Sequence, residues 1–335
     1  MARIVLADDG IAFDGRSTGA LGGGETAFLR LAENLAARGH DVGAFSNTTE
    51  TAAINGVKWA PVSGPMPDDA DLYIANRGDR VLDRVPGAKR IAFWLHNDAR
   101  YLKKFRYLRR LWLRKPTLAF VSESHRRLAP SWLPGGERVV IPLGLEDVYR
   151  HEAERAPPPP NALYAANPLR GLAELATLWP KIGVADAKLI AHSGADLYAA
   201  KPRTRAAMEQ ALASVAGVSG IELRPLVKRD ALIDVLRRAR VFLYPGDPTE
   251  TFCLSVAEAQ ALGVPCVVYA RGALPERVID GETGFVVKSE TEFVDAARRL
   301  LTDDALWLAQ HRACLATQNK RGWADMAEDF ERLLP

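Results

Sequence analysis

Short apolar runs alternate with helical stretches over almost the whole chain, and that alternation leaves few folds open. Ile4–Ala7, Asp41–Phe45, Leu72–Ala75, Arg90–Trp94, Leu118–Val121 and Val139–Ile141 read as strands. Glu25–Ala37, Tyr101–Leu113 and Glu123–Leu128 read as helices between them. Such a pattern belongs to a parallel sheet covered by helices. It stops at His151–Ala156, which runs into four prolines, Pro157–Pro160. Consecutive prolines cannot continue a helix or a central strand and make a stiff spacer. The alternation then resumes, with strands at Ala162–Ala165, Ala187–Ala191, Ile221–Leu223, Val241–Tyr244, Cys266–Val268 and Phe285–Val287. Helices are expected near Arg170–Leu178, Arg203–Val215, Arg229–Arg238 and Leu254–Leu262. The expectation is an α/β protein of two Rossmann-like, doubly wound domains facing a cleft. They cover residues 1–150 and 162–319, joined by a linker at 151–161. Ligands of such sheets sit beyond the strand C-termini.

The length of 335 residues suits two domains, and an apolar fraction of 48% supplies two cores. Net charge is only +3, so any basic character that matters is local. The start, Met1–Asp9, reads as a first strand rather than a signal peptide, because acids follow its short apolar part at once. No run approaches the ~18–20 apolar residues of a membrane span. Cys253, Cys266 and Cys314 show neither metal spacing nor a disulfide pattern. A cytoplasmic protein is expected.

The stretch Gly246–Val287 holds the densest chemistry. Glu250 falls in a loop after the run Val241–Tyr244, and Glu258 falls inside a short helix that Gly263 closes. The backbone N–H groups around Cys253–Val256 therefore form a helix N-terminus, a seat for a phosphate or diphosphate. One carboxylate just before that helix and one just inside it can accept hydroxyl hydrogen bonds on either side of the anion. Diphosphate between two sets of hydroxyls describes a nucleotide sugar. Elsewhere, Gly22, Gly23 and Gly24 precede a helix and let backbone approach a ligand closely. A dinucleotide reading is weaker. No G-x-G-x-x-G follows the first strand, and the second ends in Phe45-Ser46-Asn47 without a ribose-binding acid. His40 reads as a turn residue and His125 as a surface residue.

The segment resembles the E-x7-E signature of retaining GT-B glycosyltransferases of family 4, the glycosyl transferases group 1. The likeness extends to Tyr244-Pro245, Glu258-Ala259, Gly263-Val264-Pro265 and Pro275-Glu276…Gly281…Gly284. It implies sugar transfer from a nucleotide diphosphate donor to a glycan or lipid-linked acceptor, in cell-surface polysaccharide or lipopolysaccharide assembly. Glu258 is then expected to hold the ribose hydroxyls. Glu250 and the Phe252, Cys253 and Leu254 amides are expected to hold the sugar. The helix start, with Ser255, and Arg170 neutralise the diphosphate, so no metal or other cofactor is expected. Gly22–Gly24 resemble the family's GG-x-E loop, and His96 matches its histidine near the reacting centre. Two departures stand out. The basic residue usual before Arg170 is missing from Tyr164–Asn167, leaving Lys228 or Arg229 to compensate, and Cys253 replaces a glycine. The resemblance also implies that the last helix, Trp323–Leu334, crosses back to the first domain with Trp323 as its anchor. An epimerase-like or hydrolytic enzyme, or a non-catalytic scaffold, would share the fold.

Arg100–Lys115 contains eight cations and no acid, with Tyr101, Phe105, Leu108 and Trp112 on one helical stripe. Lys103, Arg106, Arg110 and Arg114 are expected on one face. That face meets an anionic membrane or a phosphorylated acceptor in one reading, and only solvent in the other. Nucleic acid is not expected, because no recognition fold accompanies the run.

Overall fold

The computed structural model describes residues 1–17, 21–195, 201–227, 229–318 and 321–335. The chain divides into two compact units, Met1–Gly144 with Arg321–Pro335, and Leu145–Lys320.

In the first unit the strands are β1 Arg3–Asp8, β2 Asp41–Ser46, β3 Ala52–Ile54, β4 Val57–Pro61, β5 Asp69–Asn76, β6 Gly87–Trp94, β7 Thr117–Phe120 and β8 Arg138–Val140. Helices α1 Gly23–Ala37, α2 Phe105–Arg114 and α3 Glu123–Leu128 lie among them. The sheet order is β3-β4-β2-β1-β5-β6-β7-β8, parallel except where β3 meets β4. Central strands of parallel sheets are covered on both faces, which is why Ile4–Ala7 and Leu72–Ala75 are buried without a break. β3 and β4 had no counterpart in the sequence reading. β3 is three residues long and half-exposed, so it shows no apolar run.

In the second unit the strands are β9 Asn161–Ala165, β10 Lys188–His192, β11 Ile221–Arg224, β12 Val241–Tyr244, β13 Cys266–Tyr269 and β14 Gly284–Val287, in the all-parallel order β11-β10-β9-β12-β13-β14. The helices are α4 Leu172–Ile182, α5 Pro202–Ala213, α6 Arg229–Arg237, α7 Leu254–Ala261, α8 Leu274–Arg277, α9 Glu290–Thr302 and α10 Asp304–Thr317. The proline-rich segment is fastened to this unit. Arg155 donates through its backbone to His311 Nε2 at 3.1 Å and through Nη1 to Leu262 O at 2.7 Å, and Arg240 Nη1 donates to Pro158 O at 3.1 Å.

The last helix, α11 Trp323–Glu331, returns to the first unit. Trp323, Met326 and Phe330 are buried there, and Phe330 meets Trp94 edge-on at 5.0 Å. Its end is held by Arg38 and by His40 Nε2, which lies 2.7 Å from Glu331 Oε1. His40 thus does more than turn the chain: it ties α11 to the end of α1. No helix among the described residues is long and apolar enough to cross a membrane.

Candidate functional site

In the second sheet β9 lies between β10 and β12, and the chain winds outward from it in both directions. Ligand crevices in such sheets open at the strand C-termini where the winding reverses. Two loops emerge there, 166–171 after β9 and 245–253 after β12. Gly246 N–H donates to Arg170 O at 3.2 Å. Gly171 has φ +102°, and a Cβ on it would lie 2.6 Å from Pro245 Cβ, so the approach of the loops depends on glycine.

Arg170 points into the second loop. Its Nη1 is 3.3 Å from Thr249 Oγ1, 3.4 Å from Asp247 Oδ1 and 3.7 Å from Glu250 Oε2. Burial works against this cation, but Glu250, Tyr244 and Asp247 outweigh it and raise its pKa. The Tyr244 hydroxyl donates to Glu250 Oε2 at 2.6 Å. Burial first, then Cys253 and Glu250, push the Tyr244 phenol well above its ordinary range, so it remains a donor. The Glu250 carbonyl accepts the Ala273 N–H at 2.9 Å. Glu250 is therefore buried, fixed through side chain and backbone, and ionically paired.

Phe252 is buried, with the Arg277 guanidinium 4.4 Å over its ring. Cys253 then caps α7 in a left-handed conformation, φ +69°, which favours glycine. Ala257 makes the first helical hydrogen bond, to Cys253 O at 3.2 Å, so the Leu254 and Ser255 amides precede the ladder. Glu258 is buried on the same helix, about one turn further in. Arg170, Glu250, Phe252–Ser255 and Glu258 thus gather at one switch point. Lys228 lies outside the described residues.

The first unit has its own switch point, between β1 and β5. Asp8, fully buried at the end of β1, accepts Asn76 Nδ2 at 2.5 Å and Arg77 Nη2 at 2.6 Å. Arg77 also donates from Nη1 to Glu25 Oε1 at 2.8 Å, in the first turn of α1. A Cβ on Gly24 would lie 3.1 Å from Arg77 Nη1 and 3.6 Å from His96 Cγ. The glycine loop, Arg77 and His96 are therefore neighbours. Trp94 packs on His96 with ring centres 4.4 Å apart. Burial, then Arg77 and His125, push the His96 imidazolium well below its ordinary value, so His96 is neutral.

The sequence reading missed Arg77, the hub of this cluster. A lone arginine after a strand gives no signal, since its partners are distant in the chain. His125 is a correction. It is buried, with Nε2 2.8 Å from Asn97 O, and braces the loop that presents His96. The short α3, capped by Ser122, turns this face inward.

The basic segment also departs from expectation. Residues Ala99–Lys103 form a 3-10 turn, and α2 begins only at Phe105. Lys103, Arg106, Arg110 and Arg114 do not share one exposed face. Arg110 pairs with Asp79 and, at 2.7 Å, with Asp83. Arg114 Nη2 donates to Val85 O at 3.0 Å and Pro86 O at 3.2 Å. Arg106 lies 3.5 Å from Asp79. Tyr107 and Leu111 turn this side of the helix onto the core, and these arginines flank them.

Two parallel-sheet α/β units, with a last helix returning to the first, define the GT-B class of fold. Sucrose-phosphate synthase from Thermosynechococcus elongatus shares it, with a TM-score of 0.76 and 17% identity over 98% of this chain and 97% of that one. HepE of Anabaena, in complex with UDP-glucose, shares it with a TM-score of 0.73 and 12% identity over 99% of both chains. Residues 167–303, which hold Arg170, Glu250 and Glu258, match the family model Glycosyl transferases group 1. The D-inositol 3-phosphate glycosyltransferase of Corynebacterium aurimucosum is 34% identical over 104 residues, 30% of this chain and 24% of that protein. The chain spans about a quarter of the length of the curated relatives it matches. The resemblance to glycosyl transferases group 1 thus holds over residues 167–303, and the solved structures share the fold.

Proposed function

We propose that the protein is a retaining glycosyltransferase that moves a sugar from a nucleotide diphosphate donor to a glycan or lipid-linked acceptor. One observation carries this reading. Arg170 and Glu250, from loops after two different strands, stand 3.7 Å apart where α7 begins. The α7 amides and Arg170 receive the diphosphate. Breaking the bond from the anomeric carbon to the diphosphate oxygen puts negative charge on the leaving group. Fixed donors and a guanidinium stabilise that charge as it grows, the role a metal plays in other sites. Glu258, one turn into α7, takes the ribose hydroxyls. Glu250 takes the sugar hydroxyls through Oε1, which accepts no hydrogen bond from any described residue, while Oε2 is held by Tyr244. His96, in the first unit, stays neutral beside the glycine loop and can hydrogen-bond a hydroxyl without adding a cation. No protein nucleophile is assigned.

A thermal-shift screen of UDP-, GDP- and ADP-sugars tests the donor half. A donor at 100 times its Kd adds about 2.7 kcal/mol of stability. Incubation with that donor and a panel of glycan and lipid-linked acceptors tests transfer. Donor hydrolysis that no acceptor accelerates would replace transfer by hydrolysis, and no shift with any nucleotide sugar would remove the reading altogether.

A further inference from the structure

The inward pairing of Arg110 and Arg114 leaves a different face of α2 in solvent. Phe105, Arg109, Trp112 and Leu113 lie at i, i+4, i+7 and i+8, on one side of the helix. Phe105 is 79% exposed, Trp112 65% and Leu113 53%. Three large apolar side chains standing together in solvent on one ten-residue helix are unusual, since scattered single ones are the norm. The charged side chains beside them on this segment have one sign. Lys103 and Lys104 precede the helix, Arg109 stands in the middle, and Lys115 closes it in a left-handed cap. None of these four has an acidic partner among the described residues. No Asp or Glu occurs from Ala99 to Ser122. The loop at 130–136 adjoins the end of the helix, with Gly136 N–H donating to Pro116 O at 2.8 Å, and it presents Trp132, 61% exposed.

We propose that this face docks on an anionic lipid bilayer. Phe105, Trp112 and Leu113 enter the interfacial layer, and Lys103, Lys104, Arg109 and Lys115 meet lipid phosphates. Trp and Phe favour that layer, where an apolar ring and a polar edge are both accommodated. Cations gain from the negative surface potential of such a membrane. A folded protein partner carries a fixed array of charges of both signs, whereas anionic lipids diffuse beneath an all-positive face and match it wherever it lands. The opposite side of α2 is already committed to the core through Tyr107 and Leu111, so the helix docks without refolding. This surface goes beyond the donor reading and does not rest on it.

Co-sedimentation with vesicles of phosphatidylglycerol and phosphatidylcholine, against phosphatidylcholine alone, is the test. The wild-type chain is expected to sediment with the anionic vesicles and stay in solution with the neutral ones, and high salt should release it, because exposed charges are screened. The triple variant Phe105→Ser, Trp112→Ser, Leu113→Ser should lower partitioning about tenfold or more, and so should Lys103→Gln, Lys104→Gln, Arg109→Gln, Lys115→Gln. Melting temperature and nucleotide-sugar shift should match wild type in both. Quenching of tryptophan emission by bromine-labelled lipid needs no variant, because Trp112 and Trp132 are the exposed tryptophans among the described residues. Failure of the wild type to bind anionic vesicles, equal binding to neutral ones, or absence of quenching overturns the proposal. So does a shift with single-stranded RNA in place of vesicles. Loss of donor binding with intact vesicle binding would count against the donor site alone.

Discussion

Tyr244 donates to the same Glu250 oxygen, Oε2, that lies 3.7 Å from Arg170 Nη1. A carboxylate whose one oxygen accepts a hydrogen bond and faces a cation is fixed in orientation and offers the other oxygen to a ligand. Glu258 stands further along, on the helix whose first amides face the same region. In the proposed function the two glutamates take different parts of one donor.

Their variants should separate those parts. Glu258→Ala is expected to weaken donor and free nucleoside diphosphate together, by roughly 1.5–3 kcal/mol for a charged hydrogen bond lost. Glu250→Gln is expected to leave nucleoside diphosphate affinity near wild type and to lower transfer about a hundredfold, the scale of losing one stabilising contact in the transition state. Titration calorimetry with the nucleotide and initial rates of transfer give both numbers. Equal loss of nucleotide affinity in the two variants would cancel the division of roles.

Arg170→Ala should act on the leaving group. Charge on the diphosphate grows as the bond breaks, so kcat should fall more than nucleoside monophosphate affinity. Arg170→Lys should recover only part of the rate, because a point charge cannot reproduce a forked contact. EDTA should leave the rate unchanged. Activity abolished by EDTA and restored by magnesium or manganese would contradict the leaving-group role given to Arg170.

Much of the fold was legible because parallel strands buried on both faces must be apolar throughout. Ile4–Ala7, Leu72–Ala75 and Val241–Tyr244 announce themselves for that reason. Glu250, Glu258 and Arg170 were legible because the glycines, prolines and carboxylates around them keep a local order. What failed to show depends on distance in the chain. Arg77 meets Asp8 and Glu25, neither of them near it in sequence, and its own backbone is left-handed at φ +60°. His125 is buried by the orientation of α3, which no spacing reports. The basic run gave the charges of α2 but not their directions. Asp79 and Asp83, from a neighbouring 3-10 turn, decide which arginines turn inward.

His125 gives a pH dependence with a definite sign. Burial lowers its pKa from 6.5 to about 4. Between those values the unfolded chain binds a proton that the folded chain refuses, so stability falls as pH drops through that window and is complete above it. The full shift corresponds to about 3 kcal/mol. His96, also held neutral, adds in the same direction. Urea unfolding between pH 7 and pH 5 should show this loss, and His125→Gln should flatten it. A stability that is flat or rises on acidification would rule out a buried neutral histidine.

Arg77 yields the remaining prediction. Its guanidinium lies between Asp8, fully buried, and Glu25, also buried. Arg77→Met removes the one cation that bridges both carboxylates and leaves them desolvated. Breaking one side of a buried ion pair costs about 3–5 kcal/mol, because the remaining charge stays uncompensated. Adding Asp8→Asn to Arg77→Met should recover part of that loss by removing one stranded charge. A second readout separates positioning from mere stability. The Arg77 cation helps to disfavour protonation of His96, so its removal should raise the His96 pKa, although burial still holds it down. The acidic limb of the pH–rate profile should then move to higher pH in Arg77→Met. Denaturant unfolding and a rate profile from pH 5 to pH 8 measure the two effects. A variant as stable as wild type, with its acidic limb in place, would show that Arg77 neither holds the glycine loop nor tunes His96.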